Sequence, residues 1–335
     1  MFIPLLLALA LFTPAPADAQ RRGPAKPQKK AAATKPARTP PPDVLPQQVM
    51  LDRAGFSPGA LDGRPGANTE KAMAAYTASG GTATPPPEAT TQYTITAEDA
   101  AGPYDPKLPT DLMELSKAPA ATYRTVLEAL AERFHATPQL LQGLNPAARF
   151  EAGDTIVVPN VSPMVIPVER VKSDPTAQRG AAPATRGSSS TPSEVPVKPE
   201  VVVSVSKSAS ALTVKDGSGR VVFYAPVTTG SEHDPLPIGE WKVNGTGFNP
   251  TFRYNPTLFW DADPSHDKAV IPAGPNNPVG VVWIDLSKEH YGFHGTPEPS
   301  AIGRAQSHGC VRLTNWDALR LAGFVKPGTR VVFTE

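Results

Sequence analysis

One cysteine in 335 residues rules out an internal disulfide and leaves Cys310 as either a small buried hydrophobe or a reactive thiol. An excess of charge is also missing. Lys and Arg number 32 and Asp and Glu 31, so the formal net charge is +1 and no global field attracts nucleic acid. Long hydrophobic runs are absent too. The apolar run from Phe2 to Phe12 is much shorter than the roughly 20 residues of a bilayer span. It leads through Pro14 and Pro16 to Ala17-Asp18-Ala19, a small-x-small cleavage site, so residues 1–19 are expected to be an export signal. No membrane span is expected once that signal is cleaved. Exported proteins often pair their cysteines, and a single unpaired one therefore carries most of the functional question.

Proline, by contrast, is plentiful at 41 residues, and it is concentrated where no core can form. Between Gln20 and Pro42 there are seven Lys or Arg and no Asp or Glu, which makes 20–43 a basic, extended linker, either a soluble spacer or a contact for anionic surfaces. Residues 163–199 are a second linker, rich in Pro and Ser. Between the linkers lie two small patterned segments. In 44–82 the Gly residues and Pro58 mark a tight loop between two short helical runs, the second capped by Asn68 or Thr69 with Ala72, Met73 and Tyr76 as its buried stripe. The string GFSPGALDGRPGANTEKAMAAY resembles the small peptidoglycan-binding domain; the alternative is a helical hairpin with no ligand. In 92–161 a strand at Tyr93-Thr94-Ile95 precedes a helix from Thr125 to Phe134, a second helix opening at Thr137-Pro138, an Asn145-Pro146 turn and a closing strand. Its tail, LLQGLNP…FEAGDTIVVP, resembles a degenerate LysM module, a type that binds glycan chains.

Residues 200–335 read as a separate domain rich in strands. Val201 to Val205 is β-branched, and Leu212-Thr213-Val214 and Val221 to Tyr224 flank the hairpin turn Asp216-Gly217-Ser218-Gly219. Further strands are expected at Gly239–Val243, Val281–Leu286 and Thr329–Thr334, with one helix from Trp316 to Gly323 capped by Asn315. The fold class expected is a mainly β catalytic domain, sandwich- or barrel-like, with small helical and α+β modules before it.

His294 and, sixteen residues on, Cys310 carry the chemistry, in Tyr291-Gly292-Phe293-His294-Gly295-Thr296 and Ser307-His308-Gly309-Cys310-Val311-Arg312-Leu313. A thiol is poorly ionised at neutral pH and becomes a good nucleophile when a histidine takes its proton or stabilises the thiolate. Gly309 permits close backbone approach to a substrate carbonyl, main-chain N–H groups at such a turn can form an oxyanion hole, and Arg312 can hold a carboxylate through two hydrogen bonds. A zinc site of His294, His308 and Cys310 is the rival arrangement, and the clustered spacing or CxxC pair that would support it is missing. His233, His266 and His290 are expected on the surface or in loops, and Trp241, Trp260 and Trp283 in the core or a groove wall.

His294-Gly295 followed by Ser307-His308-Gly309-Cys310-Val311-Arg312 resembles the signature of the L,D-transpeptidase catalytic domain, the YkuD domain. Pro237-Ile238-Gly239-Glu240-Trp241 and Arg312-Leu313-Thr314-Asn315 with Asp317 resemble further family segments, with Leu236 where Thr is usual. The resemblance implies Cys310 as nucleophile, His294 as proton acceptor and donor, the Gly295 carbonyl as the group orienting the imidazole, and His308 as a residue shaping the site. Ser307, Gly309 and Arg312 would line the substrate pocket. It implies peptidoglycan stem peptides and glycan strands as partners, no cofactor or metal, and a place in the periplasm or cell wall. The acceptor stays open among a stem amine, water, an amino acid and a lipoprotein, which leaves a carboxypeptidase or endopeptidase as alternatives. A non-catalytic wall-binding protein is the alternative of another class.

Overall fold

The computed structural model of the protein describes residues 44–82, 84, 86, 88–167, 200–304 and 309–335. The expected signal 1–19, the basic linker 20–43, residues 168–199 of the second linker, and Ser307 and His308 lie outside the described residues. Among the described residues no helix is long and apolar enough to cross a membrane.

The N-terminal part begins with helices α1 (Leu45–Arg53) and α2 (Ala67–Ala78). Gly66 rather than Asn68 or Thr69 is the N-cap of α2, with no side-chain cap bond. Thr69 is free to accept from the buried Gln48 amide at 3.2 Å, and Asn68 donates to the Ile302 carbonyl at 3.0 Å. Strand β1 (Thr90–Thr94), short helices α3 (Ala97–Ala101) and α4 (Leu112–Leu115), then α5 (Val126–Arg133), α6 (Pro138–Leu144) and β2 (Thr155–Pro159) follow. Thr125 and Thr137 cap α5 and α6 by accepting from Glu128 N and Leu140 N, leaving fewer orphan donors at each helix start. β1 pairs antiparallel with β2 across the whole insertion, Thr90 opposite Pro159.

The C-terminal part is built on one eight-stranded sheet. Its strands are β3 (Val201–Ser206), β4 (Ala211–Asp216), β5 (Val221–Pro226), β6 (Gly239–Phe248), β9 (Val282–Leu286), β10 (Gly292–His294), β11 (Val311–Arg312) and β12 (Arg330–Thr334), in the order β11-β10-β9-β6-β12-β3-β4-β5. A separate ribbon joins β7 (Phe252–Tyr254) to β8 (Ala269–Ile271). The period-2 pattern of β3 buries Val201, Val203 and Val205 and leaves the residues between them half-buried. β6 pairs with β12 through Gly239–Lys242 and with β9 through Val243–Phe248, with a register shift at Val243/Gly245. A bulge of this kind bends the strand and turns the sheet toward a barrel-like curl. Helix α7 (Asn315–Phe324) covers the inner face, where Ala318, Leu321 and Ala322 join Phe293, Val311, Val331 and Phe333 in the core. Its N-cap is Thr314, which accepts from Asp317 N, and not Asn315.

The N-terminal part is built onto this domain instead of standing apart from it. The fully buried Asp52 of α1 accepts from Arg320 of α7 at 2.7 and 3.0 Å and meets His135 Nδ1 at 3.0 Å. Burial works to raise the Asp52 pKa, and the charges and hydrogen bonds of His135 and Arg320 overcome it, holding the carboxyl well below the usual range. Ser57 donates to Asp317 at 2.7 Å, Phe56 stacks on Tyr224 with ring centroids 6.4 Å apart, and Tyr224 N bonds to the Gly55 carbonyl. Removing one partner of a buried ion pair typically costs about 3–5 kcal/mol. Asp52→Ala in the full chain is therefore expected to lower stability by about that much in chemical denaturation; a loss within error of zero would mean that this interface contributes nothing to the fold.

Candidate active site

Strand β10 lies between β9 and β11, with His294 opposite Trp283 on one side and opposite Arg312 on the other. Phe293, its neighbour Ile284 and Val311 are fully buried in the core. Side chains alternate along a strand, so His294, Trp283 and Arg312 face the other way. Cys310, two residues before Arg312, joins that face as the diagonal neighbour of His294. The topology thus collects a histidine, a thiol and a guanidinium from two segments sixteen to eighteen positions apart in sequence.

Each group is held by its surroundings. His294 is 4% exposed, its ring stacks on Trp283 with centroids 5.6 Å apart, and Nδ1 stands 2.7 Å from the Gly295 carbonyl oxygen. A carbonyl can only accept, so Nδ1 carries the proton and Nε2 keeps its lone pair. Burial, reinforced by the nearby Arg312 charge and opposed by the Gly295 bond, pushes the His294 pKa down to about 3. Cys310 is half-buried, and its thiol donates to the His290 carbonyl at 3.5 Å. Burial raises the thiol's pKa, while the Gly292 amide and the Arg312 charge pull it back. The resting pair is therefore a neutral imidazole and a neutral thiol, where the sequence had also suggested a thiolate held by a charged imidazole.

Arg312 is fixed at its backbone by mutual bonds with Thr228, N to O at 2.9 Å and O from N at 3.1 Å. Burial lowers its pKa, opposed by Cys310, Glu298 and Asp261. Among the described residues its buried Nε has no hydrogen-bond partner. Gly309 meets a steric demand of its own at this turn. It has φ +96°, and a Cβ there would stand 2.8 Å from the Tyr291 ring. Gly309→Ala must either move Tyr291 or shift the chain at Cys310. Its expected result is a large fall in turnover with a stability loss of about 1–2 kcal/mol; wild-type turnover would show that this turn does not set the position of the thiol.

Of the other histidines, His233 and His290 are exposed, and His233 stacks on Trp260. His266 is in a loop but tucked away, 14% exposed, between Tyr254 and Asp111 at 3.1 Å each. Trp241 is half-buried and donates to the Pro237 carbonyl. In the sequence Asn315 has the look of a helix cap, and Tyr291 signals itself only by its place at the head of the run Tyr291–Thr296.

Residues 200–333 match the family model YkuD, described as the L,D-transpeptidase catalytic domain. This segment belongs to that family. The chain is similar to YkuD of Bacillus licheniformis, a protein assigned by name to the L,D-transpeptidases, at 28% identity over 211 residues covering 62% of this chain and 93% of that protein. It is 35% identical over 119 residues to YbiS of Escherichia coli, named a probable L,D-transpeptidase, across 34% of this chain and 38% of that one. An L,D-transpeptidase structure from Mycobacterium smegmatis is similar at 20% identity and a TM-score of 0.34, covering 41% of this chain and 59% of that one.

Proposed function

We propose that the protein is an exported L,D-transpeptidase that cross-links peptidoglycan through a thioester on Cys310. The observation that carries this reading is the bond from His294 Nδ1 to the Gly295 carbonyl, which fixes the tautomer and leaves Nε2 as a base on the face that carries the thiol. In the first step the Cys310 sulfur attacks the carbonyl of the third stem residue, a diamino acid, and its proton passes to Nε2. The C–N bond to the terminal D-alanine then breaks as His294 returns that proton to the departing amine. In the second step the side-chain amine of another stem attacks the thioester and gives its proton to Nε2, and the sulfur leaves and is reprotonated. The two third residues are then joined by an amide. Arg312, whose buried Nε has no hydrogen-bond partner among the described residues, is suited to a substrate carboxylate. Ser307 and His308 are proposed as pocket residues by family resemblance alone. Segments 44–82 and 92–161 would hold the enzyme on its insoluble substrate and raise the effective concentration of stems.

The test is incubation of the purified full chain with disaccharide-tetrapeptide and product analysis by mass spectrometry. A cross-linked dimer with release of D-alanine is expected. Tripeptide alone would make water the acceptor, and unchanged tetrapeptide would remove the enzymatic reading.

A further inference from the structure

Glu132 lies on α5, within the segment that resembles a glycan-binding module, yet it faces the catalytic domain and is only 7% exposed. Its Oε1 accepts from Asn315 Nδ2 at 2.7 Å, and it is also hydrogen-bonded with Tyr123. Asn315 is fully buried at the start of α7. Its Nδ2 has a second, longer bond to the Pro275 carbonyl at 3.4 Å, and its Oδ1 accepts from Val281 N at 3.1 Å. The same Oδ1 lies directly against the Cα of Gly295, where a Cβ would collide with it. Gly295 in turn presents the carbonyl that holds His294 Nδ1 at 2.7 Å. A continuous set of contacts therefore runs from α5 to the imidazole.

We infer that Glu132 is a positioning residue for His294, acting through Asn315 and Gly295, so that the N-terminal segment is part of the catalytic machinery as well as a tether. This rests on the proposed role of His294 as the base. The two ends of an asparagine amide are nearly equal in size and differ only in donating or accepting. Glu132 receives the NH2 end, which directs Oδ1 toward Val281 N and Gly295. Without Glu132 the NH2 end has only the long Pro275 bond, and the amide can rotate and carry the Gly295 carbonyl with it. Small misplacements of a catalytic group far from the mutated position can cost up to about 100-fold in rate.

The test uses the full chain and three variants. Glu132→Ala is expected to lower kcat about 10- to 100-fold with KM changed less than about twofold, and to shift or broaden the His294 Nδ1–H resonance in NMR. Glu132→Gln, which keeps an oxygen to accept from Asn315, should restore kcat to within about twofold of wild type and preserve that resonance. Arg320→Met breaks another buried bond of the same interface, that with Asp52, and should lower stability without changing kcat or the resonance. Wild-type kcat and an unchanged resonance in Glu132→Ala would overturn the inference. So would an equal loss of kcat in Arg320→Met, which would make the effect a general consequence of a weakened interface. Neither result touches the role of His294, which is judged separately by whether His294→Ala retains turnover.

Discussion

Cys310→Ala and Cys310→Ser should each abolish acyl transfer from tetrapeptide while leaving the fold intact. The sequence contains no second cysteine to take over, and a hydroxyl at the same place ionises far less readily than a thiol even with the same imidazole beside it. Cys310 precedes a two-residue strand at the sheet edge and is half-buried. Loss or exchange of its sulfur therefore removes little packing, and thermal unfolding of both variants is expected close to wild type. Turnover by Cys310→Ala at the wild-type rate would end the covalent account. A variant that is inactive but unfolded would be uninformative about chemistry, and circular dichroism of the same samples separates the two cases.

His294→Ala is expected to cost roughly 100- to 10,000-fold in kcat/KM, the usual range for loss of a general base. The buried imidazole also sets a pH dependence. With its pKa pushed down to about 3, His294 is already a free base through the range in which an ordinary histidine titrates. The wild-type kcat/KM should therefore show no loss as pH falls through 6.5, only at more acid pH. A step near 6.5 that disappears in His294→Ala would contradict the neutral resting pair. Stability follows with a definite sign. Between pH 6.5 and about 3 the unfolded chain takes up a proton at this histidine that the native chain refuses, so the native state loses stability as pH falls across that window. His294→Ala lacks this term, and its stability should decline less steeply with acid.

The strands of the C-terminal part were legible because their signals are local. The β-branched run at Val201–Val205, the two runs flanking the Asp216–Gly219 turn and the closing strand each carry their own pattern, and all appear in the structure within a few residues of the expected bounds. The helix after Leu313 was equally clear, but its cap was not. Thr314 and Asn315 are adjacent residues of types that both cap well, and the choice between them is made elsewhere. Asn315 is occupied by Glu132, 183 positions upstream, and by Val281. The same reason hid the cap of α2, where Asn68 and Thr69 are engaged by Ile302 and Gln48. That His294 and Cys310 come to one face of the sheet could be expected from the motif. The directions of their pKa shifts could not, because they follow from burial and from Arg312 lying directly across the strand pair. The close packing of the N-terminal part was invisible for a further reason: Asp52, Ser57 and Glu132 look like ordinary helix or loop polar residues until their partners on α7 are known.

The most direct measurement is intact-protein mass spectrometry of the full chain mixed briefly with disaccharide-tetrapeptide and quenched in acid, followed by peptide mapping. The account predicts an added mass equal to the donor less D-alanine, located on the peptide that contains Cys310, and lost when an acceptor stem is supplied. An added mass on any other residue, or cross-linked product formed with no adduct at any time after mixing and undiminished in Cys310→Ala, would contradict it.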